Sequence, residues 1–181
     1  SGEPNVVLCS LPRTVGTPLR DTFDTIAATL GDIGQQLNPE RVPIRFGSWV
    51  GGDRDGNPNV SPETTTAVLN LQRDRAITLL IAELRDLYSD ASMSGRLYKI
   101  SAEIKTTIES DQANHPELLT PARLIEPYRL RCAVMSKRLE ATRARSDGGY
   151  QSPGELSEEL AVMDRSLRAH GGALVANGRL A

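Results

Sequence analysis

The stretch FGSWVGGDRDGNPNVSPE, residues 46–63, decides how the rest of the sequence is interpreted. It holds four glycines, two prolines, two asparagines and two aspartates, together with the only tryptophan of the chain. These small and polar residues favour turns, so the stretch predicts a loop between two regular elements. A plain turn does not need this length, and the large indole beside it requires an explanation.

A short run before the loop favours a β-strand. Val42, Ile44 and Phe46 alternate with Pro43 and Arg45, which predicts a brief strand of about four or five residues ending where the glycines begin. A lone strand has no partner for its backbone hydrogen bonds. We therefore expect either that its neighbours lie in chain outside these 181 residues or that the run is extended loop.

Helical periodicity dominates the remainder of the sequence. Ser61 is a typical N-cap, Pro62 suits the first helical position, and Glu63 is favourable in the first turn. The stretch 152–155, Ser-Pro-Gly-Glu, has the form of a capping box. The predicted helices cover residues 18–37, 62–88, 96–110, 127–144 and 153–169. Residues 1–16, 89–95 and 114–121 are predicted to be irregular. The tail, residues 173–181, has no evident helix cap.

The composition indicates a mainly α-helical, soluble protein. Apolar residues make up 39% and aromatic residues 4%, so a core would consist mostly of aliphatic side chains, which suits packed helices. The net charge is −2 and the basic residues are scattered, which argues against a nucleic-acid-binding surface. No apolar run approaches the ~20 residues of a membrane span and no leader opens the chain, so we expect a cytoplasmic location. Cys9 and Cys132 lie far apart without metal-ligand spacing, and both are predicted to be reduced thiols.

Two interpretations of the loop need no substrate. In the first, the loop is a strand-to-helix turn and its tryptophan is part of the core. In the second it binds calcium, because Asp53, Asp55, Asn57 and Asn59 alternate as oxygen ligands do. However, Pro58 replaces the glycine that such a loop needs at its sharp turn, and the final ligand position, 64, is a threonine.

The third interpretation is an anion-binding or substrate loop. Backbone N–H groups at Gly51 and Gly52 can approach a ligand closely, and Arg54 can add a permanently charged set of donors. The spacing of the glycines does not match either of the common nucleotide-binding motifs. The residue types alone leave the three interpretations open.

The order of the residues adds a resemblance to a known family. The stretch closely resembles the F-G-S-W-M-G-G-D-R-D-G-N-P-x-V-T loop of phosphoenolpyruvate carboxylase, with Val50 in the place of Met and Ser61 in the place of Thr. Residues 126–129, Glu-Pro-Tyr-Arg, and 137–139, Lys-Arg-Leu, are similar to the helix that carries E-P-Y-R in that family. Further matches are Ala176-Asn177-Gly178 with Leu180 downstream and, more loosely, Ser10-Leu11 and Val15 upstream, where Pro12 replaces the usual Trp.

The resemblance implies more than this chain contains. The family condenses phosphoenolpyruvate with bicarbonate to give oxaloacetate and phosphate, requires Mg²⁺ or Mn²⁺, and usually forms tetramers. Its fold is a parallel β/α barrel wrapped by many helices, and the chain would be a mainly α-helical fragment of it, one partial domain spanning residues 1–181. The family's T-A-H-P-T, G-Y-S-D-S-x-K-D and H-G-R-G-G segments do not occur here. We therefore expect no catalytic residue and no metal ligand in the fragment, and we expect His115 and His170 to be surface or helix-end residues.

On that fold, the resemblance implies that residues 42–47 form the first barrel strand and residues 48–59 an active-site loop. Trp49 would line a dry pocket for carbon dioxide next to the enolate. Gly51 and Gly52 would allow close approach of the backbone. The other expected substrate-pocket residues are Asp53, Arg54, Asp55, Gly56 and Asn57, with the two aspartates and the arginine holding the loop in place.

Taken alone, the fragment is predicted to be inactive. Its apolar helix stripes could face a missing barrel, and exposed apolar surface of this kind promotes self-association. The alternative interpretation is a non-catalytic helical binding or regulatory module that retains the loop as scaffold.

Overall fold

The computed structural model describes residues 17–35, 51–52, 56, 60–93 and 99–179. The chain divides into two compact units, residues 1–75 and 76–181. Every regular element within the described ranges is helical, which confirms the mainly α-helical prediction. The elements are α1 (Thr17–Asp32), α2 (Pro62–Asp90), α3 (Ala102–Asn114), a 3₁₀ turn (Pro116–Leu118), α4 (Pro121–Ile125), α5 (Pro127–Ala144), α6 (Pro153–Ala169) and α7 (Ala173–Arg179). The predicted strand at 42–47 lies outside the described residues.

Helix α1 ends five residues earlier than predicted. Gly34 adopts a left-handed conformation with φ 72°, and its N–H donates to the carbonyl of Gly31. The N–H of Gln35 donates to the carbonyl of Leu30 at 2.8 Å. These two bonds form a Schellman motif, in which the left-handed Gly34 ends the helix. The predicted continuation to residue 37 is therefore wrong.

Helix α2 begins as predicted. The N–H of Thr64 donates to Ser61 Oγ at 3.2 Å, so the cap prediction is confirmed. The Ser61 hydroxyl and the backbone N–H of Glu63 lower the pKa of the Glu63 carboxyl. An acidic residue in this first turn also interacts favourably with the helix dipole. The helix runs to Asp90, two residues beyond the predicted end.

Helix α3 begins at Ala102, so the predicted start at residue 96 is wrong. Ser101 is the N-cap, with φ −65° and ψ 155°, and its hydroxyl accepts a hydrogen bond from Ile104 N at 3.2 Å. The N–H of Ser101 donates to Ser166 Oγ on α6 at 3.1 Å. The backbone thus leaves the helix at Ser101, although Leu97 and Ile100 continue the apolar spacing of the sequence.

The predicted break at 114–121 contains a 3₁₀ turn, and a short helix begins at its last residue. A 3₁₀ turn covers Pro116–Leu118, and α4 follows with Thr120 as its N-cap. The Thr120 hydroxyl accepts a hydrogen bond from Arg123 N at 3.2 Å. Pro116 and Pro121 occupy first-turn positions that need no N–H donor.

Helix α5 has the predicted bounds, Pro127–Ala144, and ends where Arg145 becomes left-handed. Helix α6 begins after Ser152 as predicted, but the predicted capping box does not form. Ser152 makes no side-chain cap bond, and Glu155 Oε1 accepts from the N–H of Gln151. The predicted stop after residue 169 is confirmed, with Gly171 at φ 88°.

Residues 173–179 are also helical, a feature that was not predicted. Helix α7 packs against α6, and Ala176 is completely buried. The carbonyl of Gly172 accepts from Ala176 N, which begins the helix. The motif residues Ala176, Asn177 and Gly178 are therefore part of a helix.

The second unit holds one continuous apolar core. Helix α3 packs against both α5 and α6, α7 packs against α6, and the 3₁₀ turn contacts α3 and α5. The buried residues of this core are Ile77, Leu84, Leu87, Ala91, Ile104, Ile108, Tyr128, Leu130, Cys132, Val134, Met135, Leu139, Tyr150, Leu156, Met163, Leu167 and Ala176.

Some large apolar side chains of both units are exposed, namely Ile33, Leu69, Leu79, Leu80, Leu124 and Leu174. None of the described helices combines the length and apolarity needed to cross a membrane.

Candidate functional site

The described part of the predicted loop consists of three glycines. Gly51 is partly buried with φ 72°, Gly52 is exposed, and Gly56 is exposed with φ 67°. Trp49, the three charged residues at 53–55 and Asn57 lie outside the described residues. The positive φ values of Gly51 and Gly56 favour glycine at these positions, because other residues rarely adopt this conformation.

Gly51 is attached to the first two turns of α2. Thr65 Oγ1 donates a hydrogen bond to the carbonyl of Gly51 at 2.6 Å. A Cβ atom placed on Gly51 would lie 2.8 Å from Cγ2 of Val68, a buried side chain one turn further along the helix. The backbone therefore approaches α2 more closely than any side chain would allow, which gives Gly51 a second reason to be glycine.

The two other loop glycines have more space. A Cβ on Gly56 would meet no atom within 4 Å, so only its backbone conformation favours glycine. Gly52 follows the attachment point directly and is exposed. Within the described part of the loop, Gly51 is held against α2, whereas Gly52 and Gly56 are exposed.

The Glu-Pro-Tyr-Arg motif at the start of α5 has a structural role that the sequence did not reveal. Arg129 Nε donates to the carbonyl of Tyr88 at 2.9 Å, and Nη2 donates to the carbonyl of Ser89 at 3.3 Å. Its third nitrogen, Nη1, lies 2.9 Å from Glu126 Oε2, while Ser92 Oγ donates to Glu126 Oε1. Arg129 therefore satisfies carbonyls at the C-terminal end of α2, where a cation is favourable.

A buried charge network lies between α3, α5 and α6. Arg131 Nη1 donates to Asp111 Oδ2 at 2.6 Å, and Nη2 lies 3.1 Å from Glu159 Oε2. Arg138 forms ion pairs with Glu155 and Glu159. The Tyr150 hydroxyl donates to Glu159 Oε2 at 2.8 Å, and the Arg138 guanidinium lies 4.0 Å from the centre of the Tyr150 ring. These residues were not predicted as a cluster, because nothing in their spacing brings three helices together.

Burial shapes the protonation equilibria of this network. Burial raises the pKa of Asp111 above its usual range, and this effect outweighs the opposing attraction of Arg131. Burial also raises the pKa of the Tyr150 phenol, with a further contribution from the neighbouring Glu159 carboxylate. The phenol therefore stays protonated and acts as a hydrogen-bond donor.

A groove of about 450 Å³ lies on the second unit beside the 3₁₀ turn. Its lining residues are Ile81, Arg85, Tyr88, Glu117, Leu118, Arg123, Ala133, Ser136, Lys137 and Glu140. Lys137 forms an ion pair with Glu117 across one side of the groove. The charges are mixed, so the groove shows no preference for one ligand class.

The two histidines of the chain lie at helix ends, as predicted. His115 follows α3 and His170 follows α6. Across the described ranges, no three His, Cys, Asp or Glu side chains are grouped closely enough to hold a metal ion. The metal that the resemblance implies thus has no candidate ligand set in this part of the chain.

Comparison with known proteins identifies the family. The family model for phosphoenolpyruvate carboxylase matches residues 6–181. A phosphoenolpyruvate carboxylase of Chromobacterium violaceum is 41% identical over 165 residues, which cover 82% of this chain and 18% of that protein. The protein of the same name from Rhodopseudomonas palustris is 39% identical over 148 residues, which cover 76% of this chain and 15% of that protein.

By its fold, the chain is a mainly helical segment in which a capped helix follows a glycine-rich loop. It belongs to the phosphoenolpyruvate carboxylase family. The resemblance carried by residues 46–63 is thereby confirmed. The chain spans less than a fifth of the length of these curated relatives.

Proposed function

We propose that this chain is part of a carboxy-lyase that joins phosphoenolpyruvate and bicarbonate to form oxaloacetate and phosphate. Membership of the family and the printed names of the relatives support this activity. In the reaction, bicarbonate takes the phosphoryl group to give carboxyphosphate and an enolate. Carboxyphosphate then releases carbon dioxide and phosphate, and the enolate carbon forms the new bond with carbon dioxide. The oxaloacetate so produced would replenish the tricarboxylic acid cycle in the cytoplasm.

This chain would form part of the wall of the substrate pocket. It would not supply the residues that carry out acid–base catalysis. Trp49 would cover the enolate with an apolar surface, because water that reached it would supply a proton and form pyruvate. Gly51 and Gly52 would let the backbone come close to the substrate, and the charged residues 53–55 would hold the loop. The observation that supports the proposal is the attachment of Gly51 to α2, because Gly51 follows Trp49 by two residues in the sequence.

The isolated chain would be inactive. It lacks the histidine, carboxylate and H-G-R-G-G segments that the family resemblance implies for catalysis. The Mg²⁺ or Mn²⁺ of the parent enzyme would polarise the substrate when bound, and its carboxylate ligands would come from parts of the enzyme outside these 181 residues. The parent enzyme would act as a homotetramer, and the exposed apolar side chains of the isolated chain favour self-association.

The pocket assignment is tested in the full-length enzyme that contains this segment. Trp49→Ala should lower oxaloacetate formation and raise the fraction of phosphoenolpyruvate released as pyruvate. Trp49→Phe is the matched control, because it keeps an apolar ring and should stay close to the unsubstituted enzyme. Oxaloacetate is measured with malate dehydrogenase alone, and pyruvate is the additional NADH oxidation in a parallel reaction that also contains lactate dehydrogenase. Unchanged partitioning in Trp49→Ala would contradict the assignment.

A second measurement tests the inactivity of the isolated chain. Residues 1–181 are incubated with phosphoenolpyruvate, bicarbonate and Mg²⁺, and oxaloacetate is measured with the coupled assay. We expect none above the background without protein. Sustained oxaloacetate formation by the isolated chain would disprove the claim of inactivity.

A further inference from the structure

We propose that Thr65 is a positioning residue, which holds the pocket loop in place through the carbonyl of Gly51. This inference rests on the proposed function, because it concerns the same loop. Thr65 is the fourth residue of α2 and lies fourteen residues after Gly51 in the sequence. It is not a catalytic residue in this proposal, since its hydroxyl is engaged by protein backbone.

The hydrogen-bond partner of the Thr65 hydroxyl is unusual for a threonine in a helix. Such a hydroxyl normally donates to the carbonyl four residues earlier on its own helix. Thr66 does so, with its Oγ1 2.9 Å from the carbonyl of Pro62. Thr65 Oγ1 lies 3.3 Å from the corresponding carbonyl of Ser61 but only 2.6 Å from the carbonyl of Gly51. A hydroxyl has a single proton, and the shorter distance assigns it to the loop.

A second contact from the same face of α2 supports this assignment. Val68 is three residues after Thr65 and therefore lies on the same side of the helix. Its side chain is buried, and its Cγ2 occupies the space beside the Cα of Gly51. The hydroxyl thus holds the carbonyl of Gly51 while the valine methyl limits the movement of its Cα. Two different contacts on one helix face restrain one residue of the loop.

Restraining Gly51 restrains its neighbours in the chain. Trp49 precedes it by two residues and Asp53 follows it by two. Two residues span at most about 7 Å, so the position of Gly51 limits where both side chains can lie. Loss of the Thr65 hydroxyl should therefore loosen the wall of the pocket without removing any group that contacts substrate. The expected defect is more pyruvate relative to oxaloacetate, together with a lower kcat and little change in KM.

The test uses the full-length enzyme with three variants of adjacent threonines. Thr65→Val removes the hydroxyl at nearly constant shape, and we expect the ratio of pyruvate to oxaloacetate to rise about two- to tenfold, the factor that one lost hydrogen bond corresponds to. Thr65→Ser keeps the hydroxyl and should restore the ratio. Thr66→Val removes a neighbouring hydroxyl that bonds only within the helix in this structure, and it should leave the ratio unchanged.

Hydrogen–deuterium exchange provides a readout that does not depend on activity. Peptides covering residues 47–60 should exchange faster in Thr65→Val than in Thr65→Ser or Thr66→Val. If Thr65→Val folds poorly, Thr65→Ala is measured in the same two assays. Equal product ratios and equal exchange in the variants with and without the hydroxyl would overturn the inference.

The results also separate this inference from the proposed function. If Trp49→Ala changes the product ratio while Thr65→Val leaves it unchanged, the pocket assignment stands and the role of Thr65 is rejected. If Trp49→Ala leaves the ratio unchanged, the proposed pocket fails. If Thr65→Val nevertheless shows faster exchange in the loop, the hydrogen bond between Thr65 and Gly51 holds the loop but has no effect on catalysis. That result also overturns the inference.

Discussion

The guanidinium of Arg131 forms a buried ion pair with Asp111, with 2.6 Å between Nη1 and Oδ2. The arginine side chain is 3% exposed and also reaches Glu159 on α6, so one cation joins three helices. Transfer of these charges from water is unfavourable, and only their mutual pairing offsets it. The packing of α3, α5 and α6 therefore depends on all three members being present.

Arg131→Met should destabilise the chain strongly. Methionine replaces the unbranched apolar stem of the arginine but not its charge, so Asp111 and Glu159 lose this cation. Removing one member of a buried ion pair typically costs about 3–5 kcal/mol of the free energy of unfolding. Urea unfolding followed by circular dichroism measures this change in the second unit.

The matched control is Arg165→Met. Arg165 also pairs with two carboxylates, those of Glu103 and Glu158, but all three side chains are exposed. Exposed pairs contribute little because water screens them, so the control should unfold close to the unsubstituted chain. Equal destabilisation by the two substitutions would refute the importance of burial in this network.

Gly51→Ala should destabilise the first unit more than Gly56→Ala. Both positions have positive φ, which costs about 1–2 kcal/mol for a residue with a Cβ. Only at Gly51 does the added Cβ also meet Val68, at 2.8 Å. Urea unfolding followed by the fluorescence of Trp49, the only tryptophan of the chain, reports on this unit.

A double substitution isolates the steric contribution. Gly51→Ala combined with Val68→Ala removes the methyl group that the new Cβ would meet. The loss of stability in the double variant should be smaller than the sum of the two single losses. Strict additivity would mean that backbone strain alone explains the requirement for glycine at this position.

The Cys132 thiol should be unreactive in the folded chain. Its side chain is completely buried, and burial raises its pKa from 9.0 to about 12. In a Cys9→Ser variant, Ellman's reagent at about pH 8 should modify no thiol until urea is added, because the reactive form is the thiolate. Modification of one thiol per chain without denaturant would contradict the burial of Cys132.

The same raised pKa predicts a pH dependence of stability. The unfolded thiol loses its proton near pH 9, whereas the folded thiol keeps it up to about pH 12. Between these values the unfolded state binds fewer protons, so the free energy of unfolding falls as the pH rises. Cys132→Ala should remove this contribution, and urea unfolding at about pH 8 and pH 10 compares the two chains.

The predicted bounds of the helices were correct where a strong local signal marked them. Ser61 capped α2 and Pro127 began α5 as expected, since each signal acts within one turn of the backbone. The start of α3 was wrong because the apolar spacing continues through Ile100 while the backbone turns at Ser101. Besides its cap bond to Ile104 N, Ser101 is joined to Ser166, sixty-five residues away, and no local pattern reports this second bond.

The candidate site shows the same division between local and distant information. The glycine-rich composition of residues 46–63 predicted a loop, and the order of its residues indicated the family that the comparisons confirm. The importance of Thr65 could not be predicted, because a threonine in the first turns of a helix normally bonds its own backbone. Arg129 was recognised as part of a motif, but its bonds to the end of α2 were not.

The sequence by itself determined the loop, the capped helix after it and the family, because turn residues, caps and motifs act between neighbours in the chain. Only the tertiary structure decided what holds these elements in place. The carbonyl of Gly51 is bound by a helix that begins eleven residues later, and the charges of α3, α5 and α6 meet only after the helices pack. Such contacts join residues far apart in sequence, and their energies depend on burial, which exists only in the folded chain.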